Sequence, residues 1–358
     1  MSERLDALLA AVAGRELDGL LVTNVVNVRW LTGFTGSNAA AVVGTSFQPR
    51  FLTDFRYLTQ AADQVAERWE REISSELLKR AIEGLPGERP LALGFDDANL
   101  SVKQHAQLLE LAPEGVTLVA AGGIVEALRA VKDGAEIDAI RAAARLADDA
   151  LEEVLLAGLV GRTELEVALD LEFAMRRRGA QGVSFAPIVA AGEHGALPHA
   201  SPRAVAIEAG TLVVIDWGAQ LDGYASDCTR TFATGDLDPG DRAVYDLVLL
   251  AQEEALQAVR PGPTGREVDA VARSIIEQAG HGEHFGHGLG HGVGLEVHEG
   301  PRLSKQGKDR LQAGNVVTVE PGVYVPGAVG VRIEDLVVVT EDGHELLSAM
   351  PKALRTVD

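Results

Sequence analysis

TLVVIDWGAQLDGYASDCTRTFAT (residues 211–234) and NVVTVEPGVYVPGAVGVRIEDLVVV (residues 315–339) are the two stretches that decide the fold. Each has β-branched runs on both sides of a turn-prone segment, a pattern that predicts a β-hairpin. In the first stretch, a turn at about 221–223, centred near residue 221.5, sets Asp216 opposite Asp227. In the second, a turn at 326–328, centred at residue 327, sets Glu320 opposite Glu334.

Each predicted hairpin therefore carries a pair of facing carboxylates inside apolar strands. Directly opposed residues have Cβ atoms about 4.5 to 5.5 Å apart, where like charges repel. Raised pKa values, Lys or Arg side chains, or a metal ion can relieve this repulsion. Neither hairpin contains lysine, which leaves Arg230 and Arg332. One such acid alone would be interpreted as a solvent-facing side chain, but two symmetric pairs favour a shared cationic partner.

A histidine- and glycine-rich segment, HGEHFGHGLGHGVGLEVHEGP (residues 281–301), lies between these stretches. His287 and His291 have the i, i+4 spacing of a helical metal site, but the repeated glycines disfavour a helix. An extended strand or loop that lines a pocket is predicted, with a flexible surface loop as the alternative. One imidazole and four carboxylates suit Mn, Fe, Co or Zn, and two ions about 3.5 to 4 Å apart could share bridging carboxylates.

The remaining sequence predicts two domains. Up to about residue 125, runs such as LLVTN and AAAVVG alternate with helix-like stretches such as YLTQAADQVAERWEREI (residues 57–73), which indicates an α/β domain. Turn-prone residues at 122–134 place the boundary between an N-terminal domain, 1–128, and a C-terminal domain, 129–358. In the second domain the helices are grouped apart from the hairpins, which predicts an α+β fold.

Composition and charge exclude several classes of partner. The chain has 358 residues and is 46% hydrophobic, enough to bury a full core. Lys and Arg number 32 against 53 Asp and Glu, and the formal net charge of −21 repels nucleic acid and anionic membrane surfaces. A single cysteine, together with the lack of a signal-peptide or membrane-spanning stretch, predicts a cytoplasmic protein.

Five ordered motifs resemble the pita-bread metallopeptidases, the family of methionine aminopeptidase, aminopeptidase P and prolidase. They cover roughly residues 125–345 and read LRAVKDGAEIDAIRAA, IDWGAQLDGYASDCTRTF, HGLGHGVGLEVHE, TVEPGVY and GVRIED. Nearer the start, WLTGFTGSNAAAVV and FLTDFRYLTQA look like the creatinase/prolidase type of N-terminal domain, and like that of aminopeptidase P in particular. The resemblance implies a C-terminal pita-bread catalytic domain preceded by an N-terminal α/β domain.

The same resemblance implies the metal ligands. Asp216 would hold one divalent cation, His291 and Glu320 the other, and Asp227 and Glu334 would bridge the two. Manganese is the first expectation, with cobalt, zinc or iron as alternatives.

Further roles follow from the resemblance by position. His199 would contact the substrate near the scissile bond, and His298 would hydrogen-bond the scissile carbonyl oxygen. His287 would line the pocket, while Tyr324 and Arg332 would support the site from behind the ligands. Besides holding a cation, the first glutamate of the second hairpin would carry a proton to the leaving nitrogen.

The implied activity is removal of the N-terminal residue from peptides with proline in second position, as in an Xaa-Pro aminopeptidase. The N-terminal motifs place this activity ahead of an Xaa-Pro dipeptidase, or prolidase. Prolidases use an arginine just after the VHE stretch to hold the substrate carboxylate, and Arg302 stands at a comparable place. A third alternative, a catalytically silent peptide- or protein-binding relative, is disfavoured because every ligand is present. The expected partners are a peptide substrate and a second copy of the chain in a homodimer.

Overall fold

A computed structural model describes residues 2–86 and 90–358. The chain separates into two compact units, Met1–Arg129 and Ala130–Asp358.

The described part of the first unit is a mixed β-sheet with helices, as the sequence predicts for an α/β domain. Its helices are α1 (Ser2–Gly14), α2 (Val25–Thr32), α3 (Leu58–Gln64), α4 (Leu77–Glu83), α5 (Val102–Leu111) and α6 (Ile124–Arg129). Its strands are β1 (Gly19–Val22), β2 (Ala39–Gly44), β3 (Arg50–Thr53), β4 (Glu70–Ile73), β5 (Leu91–Phe95) and β6 (Val116–Ala120). The strand order is β4-β3-β2-β1-β5-β6, with β1 antiparallel to β2 and parallel to β5.

One predicted helix in this unit is only partly correct. The stretch 57–73 contains the short helix α3, but its end is the edge strand β4, which pairs in parallel with β3. The residues of β4 are largely exposed and charged, so they lack the alternating apolar pattern of a half-buried strand. Arg50 of β3 donates to Glu72 of β4, an ion pair between strands that the helical interpretation could not anticipate.

The second unit groups its helices apart from its antiparallel strands, which is the α+β arrangement that the sequence predicts. Its helices are α7 (Gly134–Leu155), α8 (Glu164–Arg177), α9 (Pro239–Ala258) and α10 (Gly265–Gln278). Its first strands are β7 (Gly182–Val183), β8 (Ile188–Ala191), β9 (Leu212–Trp217), β10 (Ala219–Leu221), β11 (Tyr224–Ala225) and β12 (Cys228–Ala233). The later strands are β13 (Gly290–Gly292), β14 (Glu299–Leu303), β15 (Val316–Val319), β16 (Gly322–Val325), β17 (Val329–Arg332), β18 (Asp335–Val339) and β19 (His344–Leu346).

Reciprocal side-chain caps fix where three of these helices begin. In each cap the residue before the helix accepts from a backbone N–H in the first turn, and an acid from that turn accepts in return. The pairs are Asp133 with Glu136 at α7, Thr163 with Glu166 at α8, and Thr264 with Glu267 at α10.

Each of the two hairpins packs against its own pair of helices. Ile215 and Trp217 of β9 are buried against α7 and α8, whereas Val317 and Val337 of β15 and β18 are buried against α9 and α10. Since side chains alternate between the two faces of a strand, the residues between these apolar positions point away from the pair of helices against which their own hairpin packs. Asp216 and the other hairpin carboxylates lie on that second face, so packing of the core sets where they meet.

Candidate metal centre

The aspartate hairpin (residues 212–233, β9 to β12) carries Asp216 in β9 and Asp227 immediately before β12. In the paired strands Asp216 lies opposite Thr229, so the predicted register, with Asp216 opposite Asp227, is wrong. The true partner lies two residues further along the strand. Because the slip is even, both aspartates still share one face of the hairpin.

The turn of the aspartate hairpin explains the slip. Asp222 and Gly223 form the turn with φ angles of 48° and 82°, and the neighbouring Leu221 remains paired in its strand. A two-residue turn with both residues left-handed matches the twist of antiparallel strands and favours Asp-Gly. A turn centred at 221.5 would have forced Leu221 into the left-handed region, which is unfavourable for a residue with a large side chain.

The glutamate hairpin (residues 316–339, β15 to β18) has the predicted register. Gly322 lies opposite Arg332 in the β16–β17 pair, and the β15–β18 pair continues the same register on the other side of the glutamates. Glu320 and Glu334 fall between these paired stretches and occupy facing positions. The connecting loop is the predicted 326–328.

The two hairpins bring their carboxylates together with one histidine. One carboxylate oxygen each from Asp216, Asp227 and Glu334 lies within 4.8 Å of the others. The Nε2 atom of His291, in β13, lies 3.5 Å from Asp227 Oδ2 and 3.3 Å from Glu320 Oε1. The five residues predicted as ligands therefore surround one common centre, although their roles as ligands stay predictions.

Two carboxylate oxygens at this centre have no hydrogen-bond donor among the described residues. Asp216 Oδ1 and Glu334 Oε1 are buried and accept no hydrogen bond from any residue that the structure describes. His291 donates through Nδ1 to the carbonyl oxygen of Gly292, which leaves the Nε2 lone pair facing carboxylate oxygens. Buried lone pairs that face each other repel unless a proton or a cation lies between them. The donor set, four carboxylates and one imidazole, fits divalent cations of the Mn, Fe, Co or Zn type.

Burial and mutual repulsion shift the pKa values of these groups. Burial, reinforced by the neighbouring acids, raises the pKa of Asp227 and of Glu334 well above their ordinary values. Burial also raises the pKa of Glu320 to about 8 and lowers that of His291 to about 4. In the metal-free form the centre therefore retains protons at neutral pH that a bound cation would displace.

A single buried guanidinium joins the centre to the surrounding wall. Arg332 donates to Asp216 Oδ2 at 2.6 Å, to Thr229 Oγ1 at 3.0 Å and to the hydroxyl oxygen of Tyr324 at 2.9 Å. The Tyr324 hydroxyl in turn donates to His287 Nε2 at 2.9 Å, because the other ring nitrogen of His287 donates to a backbone carbonyl. Burial lowers the pKa of His287 to about 4, so the ring is neutral at pH 7.

A cavity of about 640 Å³ opens onto the carboxylates. The predicted catalytic and substrate-binding residues outside the ligand set all line it: His199, His287, His298, Arg302, Tyr324 and Arg332. Burial, followed by the nearby charge of Arg302, lowers the pKa of His298, whose ring lies 4.4 Å from that of His291. The remaining histidines of the glycine-rich segment, His281 and His284, hydrogen-bond to each other and do not line this cavity.

The glycines around His291 allow close backbone packing. A Cβ atom on Gly290 would lie 2.0 Å from the carbonyl oxygen of Thr318 in β15, and one on Gly292 would lie 2.1 Å from that of Gly300 in β14. Real Cβ atoms do not approach so closely, so β13 can sit between its neighbours only with glycine at both positions. The segment is therefore the predicted extended strand that lines a pocket.

Sequence reasoning missed two threonines that support the carboxylates. Thr229 donates to Glu334 Oε2 at 2.8 Å, and Thr318 Oγ1 lies 3.3 Å from Glu320 Oε1. Each lies two residues from a ligand along its own strand and hence on the same face, a spacing that could have identified both.

Comparisons with known proteins agree with this fold and define its class, the pita-bread metallopeptidases. The chain belongs to metallopeptidase family M24, which matches residues 138–341, and residues 4–131 match the creatinase/prolidase N-terminal domain. It is a metallo-exopeptidase. Among the described residues no helix is long and apolar enough to cross a membrane.

The similar proteins include both dipeptidases and an aminopeptidase. The structure of an Xaa-Pro dipeptidase from Bacillus anthracis is 37% identical, with a TM-score of 0.94 over 99% of each chain. An Xaa-Pro dipeptidase from Pyrococcus horikoshii is 32% identical over 99% of both chains. The structure of an X-Pro aminopeptidase from Thermotoga maritima is 34% identical, with a TM-score of 0.86 over 96% of this chain and 98% of that one.

Proposed function

We propose that this protein is an Xaa-Pro dipeptidase, which reverses the order that the N-terminal motifs favoured. The dipeptidases from Bacillus anthracis and Pyrococcus horikoshii match nearly the whole chain. The Thermotoga aminopeptidase has the same architecture over nearly the same length. A shared N-terminal domain therefore does not separate the two activities, and the distinction must come from the cavity.

The observation that carries the proposal is the environment of Arg302. Its side chain lines the cavity close enough to His298 and His291 to lower the pKa of both. It is exposed and makes no hydrogen bond or ion pair with any of residues 2–86 and 90–358. A guanidinium is the preferred partner of a carboxylate because it can form two parallel charge-assisted hydrogen bonds. A dipeptide presents its C-terminal carboxylate one residue after the scissile bond, whereas a longer peptide presents a neutral amide there.

In this proposal Asp216, Asp227, His291, Glu320 and Glu334 hold two divalent cations, with manganese as the first expectation. When bound, these cations would polarise the scissile carbonyl and lower the pKa of the attacking water.

The chain's own residues would complete the reaction. His298 would donate a hydrogen bond to the scissile carbonyl oxygen, where charge develops. The Glu320 carboxyl would carry a proton to the leaving prolyl nitrogen. His199 and His287 would shape the wall that receives the substrate, and Arg302 would hold its carboxylate. Homodimer formation and a cytoplasmic location also stay predictions.

The test compares Ala-Pro, Ala-Pro-amide and Ala-Pro-Ala as substrates of the manganese-loaded protein. We expect kcat/KM to be highest for Ala-Pro. In Arg302→Gln, KM for Ala-Pro should rise about 10- to 100-fold, since a hydrogen bond to a charged group contributes roughly 1.5 to 3 kcal/mol. KM for the uncharged amide should change little.

Lys305→Gln is the matched control, because Lys305 is an exposed cation three residues away that does not line the cavity. It should leave all three KM values unchanged. Faster hydrolysis of Ala-Pro-Ala than of Ala-Pro would contradict the dipeptidase proposal if Arg302→Gln also changed KM for both substrates equally. The aminopeptidase would then be the better description of the activity.

A further inference from the structure

A buried carboxylate outside the metal centre receives an unusual number of hydrogen bonds. Glu164, the first residue of α8, has a side chain that is only 1% exposed. It accepts from the backbone N–H of Ala191 and of Arg203, from the Nδ1 atom of His194, and from two nitrogens of the Arg203 guanidinium, at 2.9 to 3.1 Å. Although burial acts to raise its pKa, these donors lower the pKa below the ordinary value, so the group is an anion at neutral pH.

These partners lie at the two ends of one segment, 192–203, called here the His199 segment. Ala191 directly precedes the segment, His194 lies near its start and Arg203 at its end, while Pro198, His199, Ala200 and Ser201 in its middle line the cavity. After the short 3-10 turn Gly192–Ala196, residues 197–203 form no strand. Such a segment has no β-ladder to fix its path, so its position depends on the contacts made by its ends and by its backbone.

Two contacts hold the His199 segment against the glutamate hairpin. Arg332 donates to the carbonyl oxygen of Pro198 at 3.2 Å. A Cβ atom on Gly330 would lie 1.8 Å from the carbonyl oxygen of Gly195, so the two backbones are in direct contact. A shift of either end would therefore move backbone that is packed against the glutamate hairpin beside the cavity.

We propose that Glu164 is a positioning residue for His199: by holding both ends of the His199 segment, it sets where the imidazole meets the substrate. The inference rests on the proposed function, in which His199 contacts the substrate. Neither Glu164 nor Arg203 lines the cavity, so both act through the segment. Glutamine in place of Glu164 would keep one acceptor oxygen and turn an NH₂ group towards groups that are themselves donors. A displacement of about 1 Å at a catalytic wall can lower the rate about 100-fold.

The test is a double-mutant cycle of Glu164→Gln and His199→Ala, with kcat and KM for Ala-Pro measured at saturating manganese. Glu164→Gln should lower kcat/KM by about 10- to 100-fold in the wild-type background but by less than about 3-fold when His199 is already alanine. Glu166→Gln is the matched control on the same helix, because the exposed Glu166 side chain caps α8 through Thr163 and makes no hydrogen bond to the segment among the described residues. It should change kcat/KM by less than about 2-fold.

A readout without catalysis keeps the inference separate from the proposed function. In protein with isotope-labelled histidine, the imidazole signals of His199, assigned from His199→Ala, should shift or broaden in Glu164→Gln, while those of His298 do not. If Glu164→Gln does not fold, Arg203→Ala removes one anchor at a half-exposed side chain and should give the same signature with a smaller loss.

Equal losses of kcat/KM in both backgrounds, or unchanged His199 signals, would overturn the positioning role. A wild-type protein that does not hydrolyse Ala-Pro would overturn the proposed function instead, and the histidine signals would still decide whether Glu164 positions the segment.

Discussion

The aspartate hairpin and the glutamate hairpin each carry two predicted carboxylate ligands, but their turns differ. The aspartate hairpin has a two-residue turn with both residues left-handed, whereas the glutamate hairpin has a three-residue loop in which only Gly327 is left-handed. As a result Asp216 faces a threonine and has Asp227 on its diagonal, while the two glutamates occupy facing positions. Loop length sets the register, and the register sets how close two like charges must come.

The two hairpins also compensate each other unequally. Arg332 of the glutamate hairpin donates to the Asp216 carboxylate, whereas among the described residues only the Thr229 hydroxyl of the aspartate hairpin donates to the Glu334 carboxylate. One carboxylate thus gains a full opposite charge and the other a neutral donor. Asp216 and Glu334 therefore each depend on a donor from the other hairpin, so we expect the centre to form only where both hairpins meet.

The largest expected effect comes from neutralising one ligand in each hairpin. We expect Asp227→Asn and Glu334→Gln each to abolish the rise in thermal stability on adding manganese, because each removes a predicted bridging carboxylate. In the wild type, cation at 100 times its dissociation constant should add about 2.7 kcal/mol to the free energy of unfolding. Differential scanning calorimetry with and without manganese measures this difference, and dialysis followed by metal analysis measures occupancy.

The pH dependence of the metal-free protein sharpens the same comparison. Burial raises the folded-state pKa of Glu320 to about 8, against an ordinary value of 4.5. At this group the folded state binds more protons than the unfolded state between these values, which lowers the free energy of unfolding as pH rises. His287 and His291, whose folded-state pKa values are about 4, act in the opposite direction below about pH 6.5, so the fall is expected between pH 6.5 and 8. The slope is about 1.4 kcal/mol per pH unit for each proton.

Asp227→Asn and Glu334→Gln should both show a shallower dependence of the free energy of unfolding on pH than the wild type, because each removes one of the repelling charges. Asp222→Asn, at the exposed turn of the aspartate hairpin, is the control and should retain both the slope and the manganese effect. A wild-type slope of zero or of opposite sign would mean that the carboxylates are not held together without metal.

A smaller effect should separate the two directions of compensation. Arg332→Gln leaves Asp216 without its cation and should weaken manganese binding about 10- to 100-fold, the usual range for residues that support metal ligands. Thr229→Val removes one hydroxyl and should cost about 1 kcal/mol, or about 5-fold. Isothermal titration with manganese measures both. Equal losses would contradict the unequal compensation and would mean that Arg332 acts through shape rather than charge.

Much of this architecture follows from local patterns, and the exceptions have physical causes. The four long helices of the catalytic unit and the glutamate hairpin depend on periodicity, caps and a Pro-Gly turn, all of which are visible within a short window of sequence. Strand β4 was missed because its exposed, charged residues carry no strand pattern. The predicted register of the aspartate hairpin is wrong because the turn is centred on Asp222 and Gly223, one residue later than the sequence pattern indicates.

The supporting contacts depend on long-range geometry. Thr229 meets Glu334, and Glu164 meets Arg203, only after distant segments pack together. A single sequence shows residue types that suit a ligand set, but it contains no signal for which distant neutral or charged side chain will stabilise each ligand. The predicted ligands could therefore be named from the sequence, whereas the residues that orient them could not.

The smallest expected effect tests the difference in backbone conformation between the two turns. Gly327→Ala places a side chain in open space at φ 70°, so it should cost about 1 kcal/mol from backbone strain alone. Gly223→Ala adds a methyl group at a buried position with φ 82° and should cost more. Gly134→Ala, which has equal open space at the start of α7 but no left-handed φ, is the control and should be neutral or slightly stabilising. Urea unfolding of the three variants measures the differences. If Gly223→Ala proved as harmless as the control, the two-residue turn, and with it the diagonal placement of the aspartates, would have to be abandoned.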